Sequence, residues 1–245
     1  TGLVRASAAG WDLLADVGAP RPDELPAQAH ADALSCLLYV DGMPLLVDTG
    51  MSAYERGPVR DYERSTAAHN TVEVDGADST EGRDAFRVAR RPRVSEVSAR
   101  ADAGVLTVEA AHDGFRRLPG RPAHRRRWSL SQTGLQVDDL IGGSGDHVMM
   151  VRWHLAPGSV VRLTAGGAVV STSAGEFRVA VSASRPVTLT TGFAPVATGF
   201  GRTVDAPVLT GHIQAVLPVR ISTVWRRAEH AQLTAAGEPA FASEG

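Results

Sequence analysis

Two histidines and an aspartate in the first third of the chain carry the side chains that most often bind zinc. They are His30, Asp48 and His69. Two imidazoles and one carboxylate can hold a zinc ion and leave a fourth position for water. The three residues are far apart in sequence, and no short motif such as HExxH fixes their geometry. The alternative is that they cap strands or make hydrogen bonds in the core.

A second group of candidates is made of arginines. Six arginine side chains could bind carboxylates or sulfates in bidentate fashion: Arg64, Arg116, Arg117 and the run Arg125, Arg126 and Arg127. A run of charge more commonly forms a solvated strand face or salt bridges with nearby acids. Both interpretations stay open from the residues alone.

The elements around the zinc candidates are predicted to bring them together. Two apolar runs, 34–40 and 44–47, flank the dipeptide Asp41-Gly42, which is a strong signal for a β-hairpin. His30 then lies near the start of one strand and Asp48 at the end of its antiparallel partner. A polar loop over 50–68, with a helical turn near 59–64, leads to His69 and a further strand at 71–74. One metal ion at both ends of this loop would offset the entropy lost on ordering it.

The rest of the chain shows the pattern of an all-β protein. Apolar or alternating runs at 86–98, 105–112, 125–130, 135–140, 148–155, 160–163, 168–171, 177–181, 187–190, 208–217 and 220–225 are separated by turn residues. Regular spacing of short strands predicts a large antiparallel two-sheet β-sandwich. We expect one domain over 1–245, with a loose tail from about 228, and a hairpin turn at GGSGD, 142–146.

Composition excludes several classes of function. The formal net charge of −2 argues against nonspecific nucleic-acid binding, which depends on a basic face. No apolar run is long enough to span a membrane. The one cysteine, Cys36, cannot form an internal disulfide and is expected to be a buried, inert thiol. Localisation stays open between a secreted or periplasmic and a cytoplasmic protein.

The amino-acid sequence of the first third of the chain resembles a known family. The stretches HADALSCLLYVDGMPLLVDTG and RDYERSTAAHNTVEVDG, followed by AAHDGFRRLPGRPAHRRRW and VRWHLAPG, resemble the C-terminal domain of the heparinase II/III-like polysaccharide lyases. That domain is mostly β. Its signature has an HxHAD start, a hairpin that ends in VD(P/S)G and an AHNT loop.

The resemblance implies roles for particular residues. His30, Asp48 and His69 match the family's zinc ligands, and the zinc is expected to be structural, fixing the loop behind the substrate cleft. Tyr54 and Tyr62 lie in that loop, and lyases of this kind often use a tyrosine to move protons; the alternative is packing at the loop base. Gln28 occupies the position of the family's cleft histidine. An amide cannot act as a general acid or base near neutral pH, so the usual mechanism is in question.

The resemblance also implies a reaction and a partner domain. In the family an N-terminal α/α toroid precedes the sandwich and carries most catalytic residues; no such segment lies in this sequence, which we therefore expect to be inactive alone. The implied reaction is β-elimination at an acidic, uronic-acid-containing polysaccharide or oligosaccharide. The toroid could be fused or separate. The main alternative is a non-catalytic carbohydrate-binding or interaction sandwich, and a metal-dependent hydrolase is a further one.

Overall fold

Antiparallel strands make up almost all of the ordered structure. The computed structural model describes residues 2–18, 30–55, 57–84 and 87–228. Gln28 and the tail beyond Ala228 lie outside the described residues. Helix α1, Pro58–Arg64, has seven residues, and a 3-10 turn at Thr66–Ala68 follows it. No helix within the described ranges is long and apolar enough to cross a membrane.

The first sheet contains the predicted hairpin. Its four strands follow in chain order: β1 (Leu3–Ala8), β2 (Trp11–Asp16), β3 (Cys36–Val40) and β4 (Met43–Leu46). Asp41 and Gly42 between β3 and β4 have φ angles of 51° and 79°. Positive φ at both central residues is what a type I′ hairpin turn requires, so the Asp-Gly signal selected this turn. The hairpin is confirmed.

The second and largest sheet has eight strands. They are β8 (Val94–Asp102), β9 (Val105–His112), β10 (Ala123–Ser131), β11 (Gly134–Gly142), β13 (Val160–Thr164), β14 (Gly167–Thr172), β15 (Gly175–Ala183) and β18 (Val219–Arg227). Their order across the sheet is β13-β14-β15-β18-β11-β10-β9-β8. The last strand therefore lies in the middle, which makes this sheet dependent on contacts that are distant in sequence.

A second four-stranded sheet and a small ribbon complete the fold. The sheet has the order β16-β17-β12-β5, from β5 (Val72–Val74), β12 (Asp146–His154), β16 (Thr188–Gly199) and β17 (Arg202–Val216). The ribbon pairs β6 (Glu81–Asp84) with β7 (Arg87–Arg90). Helix α1 and the 3-10 turn precede β5 and bring the chain to His69.

All four tryptophans pack in a core shared by the three larger sheets. Trp11 comes from β2, Trp153 from β12, and Trp128 and Trp225 from the eight-stranded sheet, and each is at most 1% exposed. The rings of Trp153 and Trp225 meet edge to face with centroids 6.1 Å apart. Aromatic side chains bury the largest apolar area per residue, so these contacts are a major source of stability.

The all-β sandwich is confirmed, with three differences in detail. The strands divide among three larger sheets and a ribbon rather than two sheets. The predicted strand at 86–98 is two strands, broken around Pro92. The GGSGD segment does not close a hairpin, because β11 and β12 belong to different sheets; the turn crosses between the layers. That the chain is a single domain stays a prediction.

Candidate functional site

The structure brings together the three side chains predicted to bind zinc. His30 precedes β3, Asp48 follows β4, and His69 precedes β5. The Nδ1 atom of His69 lies 2.6 Å from Oδ2 of Asp48. The rings of His30 and His69 are in contact, with centroids 5.4 Å apart. Three separate strand ends thus meet at one place.

Asp48 is held as a carboxylate. Burial would raise its pKa, but the charge of His69 and the hydrogen bond to it outweigh burial and lower the pKa to about 2. Its Oδ1 also accepts a hydrogen bond from the N–H of Gly50 at 2.8 Å. Both carboxylate oxygens therefore have partners within the described structure.

His69 is buried with one ring nitrogen unused. Burial by itself would lower the pKa of His69, but Asp48 reverses this and raises it. Its Nε2 has no hydrogen-bond partner among the described residues, although the side chain is 1% exposed. When the Nδ1–H of a histidine donates to a carboxylate, loss of the Nε2 proton to solvent leaves a lone pair aimed at a metal, which is how metal-binding histidines are commonly oriented.

Two imidazoles and a carboxylate are suitable ligand types for a metal, and Nε2 of His69 is available because it has no hydrogen-bond partner among the described residues. His30 beside it is neutral, because burial and then the charge of His69 lower its pKa to about 4. Within the described residues, however, no group of three or more His, Cys, Asp or Glu side chains is already arranged to hold an ion. Zinc binding here stays a prediction.

Asn70 ties the strand ends together. Its Nδ2 donates to the carbonyl oxygens of Cys36 and Val47, and its Oδ1 accepts the backbone N–H of His154. The side chain is 1% exposed, so these bonds form without competing water. Val47 directly precedes Asp48, and Asn70 directly follows His69. The bond between Asn70 and Val47 therefore fixes the position of Asp48 relative to His69.

Arg126 of β10 braces the same region from the eight-stranded sheet. Its Nη1 donates to the carbonyl oxygens of Leu34 at 2.9 Å and Asn70 at 2.6 Å. Its Nε and Nη2 form a bidentate pair with Asp139, and both side chains are fully buried. Leu34 has a φ of 59°, a conformation unfavourable for leucine, and this bond helps hold it. Arg126 is therefore a structural residue and is not exposed to a sugar.

Two buried histidines extend this network. The Gly114 N–H donates to Nδ1 of His112, so Nε2 of His112 carries the proton and donates to Nδ1 of His124. His124 then donates from Nε2 to Asp139 at 2.6 Å. With both imidazoles neutral, each of their four ring nitrogens has a hydrogen-bond partner. Protonating either ring would place two donors face to face.

A cleft opens beside the zinc candidates, on the outer face of the sheet β16-β17-β12-β5. Its volume is about 310 Å³. Helix α1 and the 3-10 turn supply one wall through Tyr62 and Ala67; the other lining residues are Arg152, His154, Thr190, Thr191, Gly192, Phe193, Ala194, Val208 and Thr210. Gly192 lies opposite Val208, and its missing side chain leaves room there.

The polar groups of the cleft have distinct protonation states. Burial raises the pKa of Tyr62 to about 12, so its phenol stays protonated. Burial lowers the pKa of His154 to about 4, and its Nε2 donates to the Ala67 carbonyl at 3.0 Å. Its Nδ1 is then an unprotonated acceptor, buried without a partner in the described structure. Arg152 is paired with Glu73 at 3.0 Å.

The remaining predicted site residues lie in different places. Tyr54 is 53% exposed and stacks on Phe200 with centroids 5.7 Å apart. Arg64 is half-buried on α1 and close enough to His30 to help lower its pKa. Arg117 donates to the carbonyl oxygens of Gly114 and Asp78, which is a structural role.

Arg116 is exposed, and no contact described here connects its side chain with the cleft. Gln28 lies outside the described residues. Roles in substrate binding or catalysis for these residues, and for Tyr54 and Tyr62, stay predictions.

The sequence did not single out Arg152, Phe193 or the threonines as cleft residues. Phe193 is 76% exposed, which is unusual for a phenylalanine and consistent with a surface for a ligand. A phenylalanine in a run such as TTGFAP carries no signal that it will be exposed. His154 lies at the end of a predicted strand, but only the tertiary structure shows that it faces Ala67 of the 3-10 turn.

The fold of this chain matches several solved structures. The chain aligns with a heparinase III structure with a TM-score of 0.74 and 16% identity, over 91% of this chain and 35% of that one. It aligns with a heparan sulfate lyase from Pedobacter heparinus with a TM-score of 0.71 and 13% identity, over 94% and 37%. A 4-alpha-glucanotransferase from Thermococcus litoralis matches with a TM-score of 0.56 and 9% identity, over 92% and 37%. At these identities the likeness establishes the fold.

The family follows from the sequence itself. The model of the heparinase II/III-like C-terminal domain matches residues 1–223, so the chain belongs to this family. A search of curated protein sequences gives no match. The chain spans about a third of the length of the lyase structures that it resembles.

Proposed function

We propose that this chain is the C-terminal sandwich of a polysaccharide lyase that cleaves acidic, uronic-acid-containing polysaccharide by β-elimination. The observation that carries the proposal is the placement of the cleft, with Tyr62 and His154 on its wall, directly beside the cluster of His30, Asp48 and His69. Family membership supplies the class of reaction. The α/α toroid of the family, fused or separate, would complete the active site.

The protonation states in the cleft suit one half of this reaction. Elimination removes the C5 proton of the uronate, forms a carboxylate-stabilised enediolate, and expels the C4-linked oxygen, which takes up a proton. Tyr62 stays protonated at neutral pH because its pKa is raised to about 12, so it is suited to donate that proton. The base and the groups that neutralise the carboxylate are assigned to the toroid, since Gln28 cannot exchange a proton.

Zinc would be held by His30, Asp48 and His69. The support is the donor set, the unpartnered Nε2 of His69 and the contact between the two imidazole rings. When bound, the ion would supply a fixed positive charge and a cross-link between strand ends. We assign it a structural role, because its three ligands come from three strand ends that the ion would cross-link.

The test is a product assay on uronate polysaccharides with the chain alone and with its toroid partner restored. We expect the unsaturated uronate, detected by its ultraviolet absorbance, only with the toroid present. In that active form, Tyr62→Phe should lower kcat about 10²- to 10⁴-fold, the range for loss of a general acid or base. Tyr39→Phe, in β3 and away from the cleft, is the matched control and should keep full activity.

Tyr54→Phe distinguishes the two tyrosines. If it, and not Tyr62→Phe, abolishes turnover, the proton donor is Tyr54. If the restored protein forms no unsaturated product from heparin, heparan sulfate or alginate, the lyase proposal fails for those substrates. A carbohydrate-binding sandwich without catalysis is then the second candidate, favoured by exposed Phe193 in the cleft and by Gln28 in place of the family histidine.

A further inference from the structure

A row of arginines crosses the solvent face of the eight-stranded sheet. In the strand register Arg162 lies opposite Val169, Val169 opposite Arg178, and Arg178 opposite Arg226. The row thus spans four neighbouring strands. At about 4.8 Å per strand, the backbones of Arg162 and Arg226 are about 14 Å apart. All three arginine side chains are exposed.

These charges are not compensated within the described structure. No carboxylate among the described residues lies within ion-pair distance of Arg162, Arg178 or Arg226. Glu176, two residues before Arg178 on β15, accepts a hydrogen bond from Ser171. Like charges directly opposite each other on a sheet are destabilising. Several other arginines of this sheet are paired, Arg125 with Glu96 and both Arg100 and Arg127 with Glu109, whereas Arg220 stands alone without a second arginine opposite it. The row therefore stands out as a place where an anion would be favourable.

A groove runs beside the row. The neighbouring row of the same face is Gly167, Ala180 and Val224, whose short side chains make a low floor. A Cβ atom on Gly167 would come within 2.1 Å of the Val179 carbonyl oxygen, so the position accepts only glycine. Arg178 and Arg226 line the resulting groove, which has a volume of about 740 Å³.

We propose that this groove is a second binding site for an acidic polysaccharide, separate from the cleft. Guanidinium groups bind carboxylates and sulfates in bidentate fashion, and a polysaccharide presents such groups at intervals along an extended chain. Neither row contains an aromatic side chain on which a nucleic-acid base could stack. The floor has no deep apolar pocket for the anchoring side chain of a protein partner.

The site is independent of the proposed lyase chemistry. It lies on a different sheet from the cleft, and the residues that line the two have no member in common. It would hold a polymer on the domain while the cleft and the toroid act on another part of it. If the zinc site or the lyase activity is disproved, the groove can still bind polysaccharide. If the groove does not bind polysaccharide, the zinc and lyase proposals are unaffected.

The experiment measures binding of a heparin oligosaccharide to the purified chain by titration calorimetry at low ionic strength. The double variant Arg178→Gln/Arg226→Gln should raise the Kd at least tenfold. The matched control Arg185→Gln/Arg220→Gln removes the same charge from exposed arginines outside the groove, and should change the Kd less than threefold. The melting temperature of the groove variant should equal or exceed that of the parent, because repulsion between Arg178 and Arg226 is removed.

Four outcomes would overturn the proposal. Equal weakening in both double variants would show a general charge effect. An unchanged Kd in the groove variant, or complete loss of binding in the cleft variant Phe193→Ser, would place heparin elsewhere. Equally tight binding of a single-stranded DNA of matched charge would show that the groove does not select polysaccharide.

Discussion

At the scale of single residues, the environment of each histidine decides what it can do. His69 and His147 each place Nδ1 2.6 Å from an aspartate oxygen, Asp48 and Asp75 respectively. The second nitrogen of His147 meets the carbonyl oxygen of Ser144, whereas that of His69 has no partner among the described residues. Of these two histidines, His69 therefore has a ring nitrogen left for an outside partner such as a metal ion, and this separates a candidate metal ligand from a structural histidine of the same local geometry.

This difference predicts the outcome of metal analysis. The parent chain, reconstituted without chelator, should contain about one zinc per chain, and His30→Ala and His69→Ala should contain none. With zinc at about a hundred times its Kd, the parent should gain about 2.7 kcal/mol in free energy of unfolding. The variants should lose this zinc-dependent gain. Plasma mass spectrometry measures the zinc content, and thermal melts with and without zinc measure the stabilisation.

His147→Ala is the matched control. It removes a histidine from an equivalent His–Asp pair, so it should keep the zinc and its stabilisation. A parent chain that stays free of zinc after reconstitution would contradict the site. Zinc retained in His69→Ala would show that the ion binds elsewhere.

At the scale of elements, the alternation of β10 puts a charge in the core. Arg126 points inward with Trp128, while Arg125 and Arg127 point to solvent. The guanidinium lies 5.8 Å and 5.4 Å from the ring centroids of Trp128 and Trp153. A buried charge is tolerated when it is paired and its hydrogen-bond donors are satisfied. Asp139 pairs with it, and two carbonyl oxygens take the remaining bonds.

Removing that partner should be costly. Asp139→Asn leaves Arg126 as a buried cation without a counter-charge, and we expect a loss of about 3–5 kcal/mol in free energy of unfolding. Its neighbour Asp138 points to the other face of β11 and bonds Ser222 and Gln136 near the surface. Asp138→Asn should therefore cost about 1 kcal/mol or less. Urea unfolding of both variants gives the comparison, and equal losses would mean that the buried pair has no special role.

At the scale of the whole molecule, burial keeps four histidines neutral: His30, His112, His124 and His154. Burial lowers the pKa of His112 well below the ordinary value, with the nearby His124 and Arg126 adding to the effect. Burial also lowers the pKa of His124, although Asp139 opposes it. In the unfolded chain both rings titrate near about 6.5. Below that pH the unfolded chain binds more protons than the native one, so acid favours unfolding.

The free energy of unfolding should therefore fall between pH 7 and pH 5.5. Each of the two histidines contributes up to about 1.4 kcal/mol per pH unit once the unfolded ring is protonated. Asp16, whose pKa burial raises to about 6, works in the opposite direction and offsets part of the fall. Urea unfolding at the two pH values measures the net slope.

The variant His112→Gln tests the assignment. It keeps a donor toward His124 and removes one titrating ring, so the variant should be less stable at pH 7 but lose less stability on acidification. A slope identical to that of the parent would mean that His112 does not contribute to the acid sensitivity.

The sequence by itself determined the features that depend on neighbouring residues. Asp41-Gly42 fixed the β3–β4 hairpin because few residue pairs adopt positive φ at both positions. The helical turn predicted near 59–64 corresponds to helix α1, and period-two patterns predicted most strands. The motifs around His30, Asp48 and His69 identified the family and the three side chains that meet. These signals depend only on residues close together in sequence, so they can be interpreted without knowledge of the fold.

Only the tertiary structure decided what depends on contacts across the chain. In sequence Arg126 is the middle residue of an arginine run; its role as a brace depends on Asp139, Leu34 and Asn70, which three other segments supply. GGSGD has the residues of a hairpin turn but joins two sheets, because β11 finds its second partner in β18 at the end of the chain. The cleft and the arginine row likewise combine residues from strands far apart in sequence. Pairing between distant strands is set by the packing of the whole core, and no local pattern encodes it.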